Sequence, residues 1–237
     1  PDGKFHLIWV WRDTPDCATN HDLSYACSPD LINWYDTQGN PMELPLMISQ
    51  RSLIVDPIPA GGGTINGGQR LFFDAENHPM IVYHKYDENR HTQLYITRFE
   101  NGEWHLKKIT DWDFCWDFHG NGSMVNELVI YTPNFNKQGE LELSYMRFDP
   151  KTNKRWKNIL TLDATTLEVK GERPMPEQKQ DAQSLPQSTF PGMKVNFASD
   201  SGDGGYRLRW ESLEANRDRK PEGELPPASV LKVLKVR

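Results

Sequence analysis

The chain has 237 residues, a formal net charge of −6, 11% aromatic residues, and 17 each of Gly and Pro. That many rings exclude a chain disordered throughout, and an acidic balance without a Lys/Arg block argues against a nucleic-acid partner. No apolar run approaches a membrane span, and turn formers with few aliphatics point to short strands rather than long helices.

The first predicted element passes from a polar turn, Asp2-Gly3-Lys4, into an apolar strand, Phe5 to Trp11. Arg12 ends that strand, where a guanidinium can meet a carboxylate in a bidentate pair; an ion pair with Asp13 or Asp16 is the structural alternative. Asn20-His21-Asp22 lead into a second strand, Leu23 to Ser28. His21 is read as a general base or as a hydrogen-bonded turn histidine. The run Ser28-Pro29-Asp30-Leu31-Ile32-Asn33-Trp34 resembles a degenerate Asp-box, in which Ser and Asp tie a hairpin turn and Trp packs between strands.

Gly61-Gly62-Gly63-Thr64-Ile65-Asn66-Gly67-Gly68 permits backbone closed to other residues. No Gly-Lys-Ser/Thr follows, so it is not a phosphate loop. It is either a tight strand entry or backbone held close to a ligand, with Asn66 as a binding residue. A turn at 74–79 then enters a strand ending in Tyr83-His84-Lys85-Tyr86-Asp87. Alternation puts Tyr83 and Lys85 on one face and His84 and Tyr86 on the other. The strand Leu94 to Phe99 turns through 100–103 to Trp104. The segment Trp112 to Gly122 offers aromatic platforms suited to stacking on a sugar, or a packed loop.

Turn–strand pairs recur at 136–145 and 202–210, and Tyr145 to Phe148 turns through 149–155 to Trp156. Residues 171–187 read as a surface connection and Val230 to Val236 as a last strand; helical periodicity is hard to find anywhere, the best candidate being the short stretch Glu211 to Arg219, closed by Pro221. Ile8, Ile81, Leu143 and Leu208 stand 73, 62 and 65 residues apart, and the hairpin Trp markers keep the same phase. The expected fold is therefore all-β, a β-propeller of about four blades with four short strands each. A β-sandwich is the competing reading.

Three cysteines do not form a disulfide framework. Cys17/His21 and Cys115/His119 repeat a C-x3-H spacing that could supply soft metal ligands, with ordinary buried thiols as the alternative.

Asn20 to Tyr25, Ser28 to Leu31, the run Gly61 to Gly68, Tyr206 to Glu211 and Ala215 to Arg219 resemble the BNR-repeat propeller family, which includes ulvan-type polysaccharide lyases. The resemblance runs over essentially the whole chain. It implies a seven-bladed ring, of which residues 1–237 would be a single, N-terminally incomplete propeller domain. It also implies an Arg in the site, matched by Arg12, behind a catalytic Tyr falling ahead of Pro1.

The function so implied is β-elimination on a uronate polysaccharide. An Arg neutralises the carboxylate beside the C5 proton and stabilises the enolate-like intermediate, while His or Tyr moves the protons. Arg12, His21 and Tyr25 are the catalytic candidates; Asn20, Asn66, Tyr83, His84 and Lys85 are the substrate-binding ones. An anionic polysaccharide is the partner, with neither nucleic acid nor membrane, on a monomer. The chemistry requires no cofactor, and a structural zinc or calcium is compatible with the family. A signal peptide upstream would make the protein secreted or periplasmic. The competing functions are a sialidase-like propeller glycoside hydrolase, which needs two carboxylates across the sugar, and a non-catalytic glycan-binding propeller. An open arc of blades exposes strand edges, so the isolated segment is expected to aggregate.

Overall fold

The computed structural model describes residues 2–149, 151–176, 188–199, 205–220 and 222–235. The chain is all-β and builds antiparallel sheets in sequence order, the blade organisation of a propeller. The first contains β1 (Phe5–Arg12), β2 (Asn20–Ser28), β3 (Trp34–Tyr35) and β4 (Pro41–Met42), with β5 (Ile54–Asp56) also paired to β2. The second is the meander β6 (Arg70–Phe73), β7 (Pro79–Tyr86), β8 (Thr92–Glu100), β9 (Glu103–Lys108). The third orders β10 (Leu128–Ile130), β12 (Leu141–Asp149), β13 (Lys154–Leu162) and β14 (Val169–Pro174), with β11 (Asn134–Phe135) on β12. The fourth joins β15 (Lys194–Ser199), β16 (Tyr206–Ser212) and β17 (Lys232–Lys235). Two compact units result: residues 1–121 with 126–176, carrying the first three sheets, and residues 122–125 with 177–237, carrying the fourth.

Hairpin chemistry explains the strand boundaries. In the Asp-box turn, Ser28 Oγ accepts the Leu31 N–H at 2.8 Å and Asp30 Oδ1 accepts those of Ile32 and Asn33. These donors hold the Asp30 carboxyl down to about 2. Trp34 opens β3, and Trp104 and Trp156 fall at the second and third positions of β9 and β13. The return turns use residues that tolerate positive φ: Asn77, Asn101 and Asn153 lie at 64°, 53° and 53°.

The central strands of the second sheet are buried on both faces because that sheet packs against the first. Met80, Ile81, Val82 and Tyr83 are all buried, as are Leu94 and Ile96 beside them. Ile81, Tyr83 and Tyr95 join Leu23 of the first sheet and Ile58 of the following loop in one core cluster. In the third sheet Leu141, Leu143 and Tyr145 alternate inward and meet Leu160 and Leu162.

Two sequence expectations change. Residues 171–174 are not connection but the end of β14, an edge strand whose last residue, Pro174, is permitted because an edge N–H needs no ladder partner. The candidate helix at 211–219 does not form. Glu211 and Ser212 complete β16, held by β15, and Arg217 and Asp218 adopt positive φ, which interrupts any helix. The remainder of the connection, 177–187, and the turn at 202–204 lie outside the described residues.

Candidate functional site

Within the first unit, the loops after β1, β5, β7 and β9 are stitched together by main-chain hydrogen bonds. Gly61 N donates to Ala18 O, Cys17 N to Gly120 O, Tyr86 N to Gly62 O, and Thr92 N to Phe114 O, at 2.7 to 2.9 Å. Asp16 adds a carboxylate that accepts the Gly120 N–H at 2.7 Å, and backbone donors hold its carboxyl below the usual range. This rim collects the charged ends of the first two sheets.

Arg12 ends β1 with an exposed guanidinium. It does not pair with Asp13 or Asp16 in the manner read from sequence. Nε donates to Thr14 O at 2.9 Å and Nη2 to Pro15 O. Among the described residues no carboxylate lies within ion-pair distance of it. Asp13 turns instead to His21, whose Nε2 it meets at 3.1 Å while Asp22 takes Nδ1 at 2.8 Å. The ladder pairs Arg12 with Asn20 and Trp11 with His21. The two candidate side chains therefore leave opposite faces of the hairpin and share only its connecting turn.

Tyr25 does not reach that turn. It pairs with Ile8 four residues further along β2, roughly 13 Å away at about 3.3 Å per residue. Its hydroxyl lies 2.6 Å from His6 Nδ1, and its ring packs on Trp104. Burial pushes the phenol well above its ordinary value, which unsuits it to proton transfer near neutrality. Asn20 is also closed off, its amide donating to Cys17 O at 2.6 Å.

The glycine run approaches side chains of this chain. Gly63, at φ +79°, lies so near the Tyr86 ring that a Cβ there would come within 2.4 Å, and one on Gly68 would come within 2.9 Å of His84 Nε2. His84 Nδ1 lies 2.8 Å from Gly63 O. Its ring packs on Trp116 and Phe118, and desolvation lowers its pKa to about 4. It is a neutral, buried imidazole. Asn66, by contrast, is exposed on the same loop.

On the opposite face of β7, Tyr83 donates to Asp56 Oδ2 at 2.5 Å and Lys85 Nζ stands 2.6 Å from the same oxygen. Lys85 also lies 4.7 Å from the centre of the Tyr95 ring. Pro57 to Pro59, Gly61, Gly62, Lys85, Tyr86, Asp87, Glu88 and Arg90 line an open groove. Arg90 bridges to Asp117 at 3.1 Å and covers the Tyr86 ring.

Of the eight sequence candidates, Arg12, His21, Asn66 and Lys85 thus present polar atoms at the rim. Tyr25, Asn20, Tyr83 and His84 are corrected to supporting roles, because buried, hydrogen-bonded side chains do not touch a polymer outside. Asp56 and the Asp13–His21–Asp22 arrangement are new. No local motif marks Asp56, which is significant only because β5 places it beside β7.

The C-x3-H spacings do not converge on a three-ligand group. Among the described residues one such group exists, Asp74, Glu76 and His78. There Asp74 already closes the β6–β7 turn, accepting the His78 N–H at 2.8 Å and meeting its Nδ1 at 2.9 Å.

Residues 1–112 match the family described as BNR repeat-containing. No curated protein matches the sequence. Similar solved structures include an endo-arabinase from Bacteroides thetaiotaomicron, 12% identical at a TM-score of 0.43, covering all of this chain and 72% of that one. A thermostable family-43 glycoside hydrolase is 13% identical at 0.39, covering 90% of this chain and 66% of that one. A family-25 polysaccharide lyase, an ulvan lyase bound to -[GlcA(1-4)Rha3S]-, is 9% identical at 0.49, covering 98% of this chain and 51% of that one. The chain thus spans about half the length of the lyase. None of these likenesses assigns an activity.

Proposed function

We propose that this chain, which carries the BNR repeat over residues 1–112, belongs to a protein that cleaves a uronate-containing polysaccharide by β-elimination. The observation that carries the reading is Arg12. Its exposed guanidinium is anchored by two carbonyls and, among the described residues, has no carboxylate within ion-pair distance, Asp16 acting on it only from further away. A uronate carboxylate would complete it. That pairing withdraws charge from the carboxylate, makes the C5 proton removable and stabilises the enolate-like intermediate.

His21, at the start of β2, leaves the opposite face of the hairpin, so its imidazole serves a neighbouring sugar of the polymer rather than the C5 proton of the uronate held by Arg12. Asp22 fixes its Nδ1, and the largely exposed Asp13 covers Nε2 and is the partner a substrate would displace. Lys85 and Arg90 supply positive charge along the adjacent groove, although Asp56 and Asp117 balance part of it. A polysaccharide does not enter a cell intact, so the reading carries a secreted or periplasmic location with it.

The test is product chemistry with ulvan and other uronate polysaccharides. Elimination yields an unsaturated uronide that absorbs in the ultraviolet, and Arg12→Ala is expected to abolish that rise while leaving the circular dichroism spectrum unchanged. New reducing ends without absorbance would replace this reading with hydrolysis. Binding without cleavage would replace it with a glycan-binding module.

A further inference from the structure

We propose that the third sheet carries a second recognition site, an acidic-sugar subsite built from Arg147 and the rings of Trp112, Phe114 and Trp156. The inference deepens the reading above and rests on its assignment of an acidic glycan as ligand.

Arg147 lies near the end of β12, directly opposite Trp156 on β13. Its guanidinium carbon stands 4.7 Å from the centre of the Trp156 ring, 5.3 Å from Trp112 and 5.1 Å from Phe114. The latter two rings come from the loop after β9. Three aromatic faces around one cation account for its position, but rings accept no hydrogen bonds in the plane of the guanidinium. Its five N–H donors meet no acceptor or carboxylate among the described residues. All four side chains are only partly buried, so the cluster is reachable from solvent.

The neighbouring charges favour an anion. Lys154 Nζ lies 4.8 Å from the centre of the same Trp156 ring. The nearby carboxylates are already committed. Asp149 closes the following turn, accepting the Lys151 N–H at 2.9 Å and the Thr152 hydroxyl at 2.7 Å. Glu172 accepts from Tyr145 and Asn158, and the Tyr145 ring packs at a tilt against Trp112, centres 5.1 Å apart.

A carboxylate or sulfate could therefore take the in-plane guanidinium donors as a charge-assisted, two-point pair. The pyranose ring bearing it would stack on an indole face. A part-buried filler arginine would be expected to find a carbonyl or carboxylate, as Arg98 does. Arg147 instead offers donors and platforms together.

The experiment follows the Trp112 and Trp156 indole N–H resonances of the intact protein during titration with methyl β-D-glucuronoside, methyl β-D-glucoside and sodium sulfate. Saturable shifts are expected with the glucuronoside, and binding at least about tenfold weaker with the neutral glucoside and with sulfate alone. Arg147→Gln should remove the response at an unchanged circular dichroism spectrum, and Trp156→Phe, which keeps a ring, should retain it in the Trp112 signal. Arg12→Ala should leave it intact. Equal binding of glucoside, equal binding of sulfate, or an unchanged response in Arg147→Gln overturns the proposal. Loss of turnover with Arg12→Ala beside an unaltered response in Arg147→Gln would defeat this subsite alone. Arg147-dependent binding in a protein that releases no unsaturated product would defeat the lyase reading alone.

Discussion

His84 shows how strongly one residue's surroundings set its chemistry. The imidazole is fully enclosed by the glycine run, Trp116 and Phe118, and burial brings its pKa from 6.5 to about 4. In the unfolded chain the same group protonates near its ordinary value. As pH falls from 6.5 toward 4, the unfolded state therefore binds a proton that the folded state refuses, and stability is lost across that window, by on the order of 3 kcal/mol. Urea midpoints should decline over that range, and His84→Gln should flatten the decline; an equal slope in both proteins would place the loss elsewhere. The carboxylates held down by turn donors, Asp30 and Asp163, act lower, between about 3.8 and about 2. Its place in a strand where alternating aromatics meet charge makes His84 a ligand-binding candidate from sequence. Its neutrality depends on contacts with residues distant in the chain, Gly63, Trp116 and Phe118 among them.

The glycine run illustrates the element scale. Sequence composition correctly marks it as backbone that other residues would not adopt, but the partner is this chain's own β7 rather than a ligand. Gly63 and Gly67 share φ +79°, yet a Cβ at Gly63 would strike the Tyr86 ring while one at Gly67 would meet nothing within 4 Å. Gly67→Ala should therefore cost only the left-handed backbone penalty, about 1–2 kcal/mol. Gly63→Ala should cost roughly 2–3 kcal/mol more, because a packed ring must move. Equal destabilisation of the two in chemical unfolding would remove the packing argument. Along β7 itself, alternation was legible beforehand: Tyr83 and Lys85 do share Asp56, and His84 and Tyr86 do share the glycine face. Alternation could not say which face was the buried one, and both are largely covered.

At the scale of the whole molecule, a net charge of −6 stands against a rim that presents Arg12, Lys85, Arg90 and Arg147. An acidic polymer would be drawn by this local field rather than by net charge, and such attraction is screened by salt. Raising ionic strength from about 0.05 M to about 0.5 M, across which the Debye length falls several-fold, should raise KM for a uronate polysaccharide with little change in kcat. A KM indifferent to salt would count against the cationic rim as the docking surface.

The repeat spacing, the Asp-box turn and the hairpin Trp markers were sufficient by themselves to determine an all-β, blade-forming chain, because turn chemistry and strand alternation are local properties. The edge strand at 169–174 and the failure of the 211–219 helix depended on pairing with neighbouring strands, and local propensity misread both. The same distinction governs the candidate site. Arg12 at a strand end was visible in the chain order. That Asp13 leaves it for His21, that Tyr25 faces His6, and that three rings from two separate segments enclose Arg147 were decided only by tertiary structure, since hydrogen-bond and ring partners are chosen by proximity in space, which spacing along the chain does not encode.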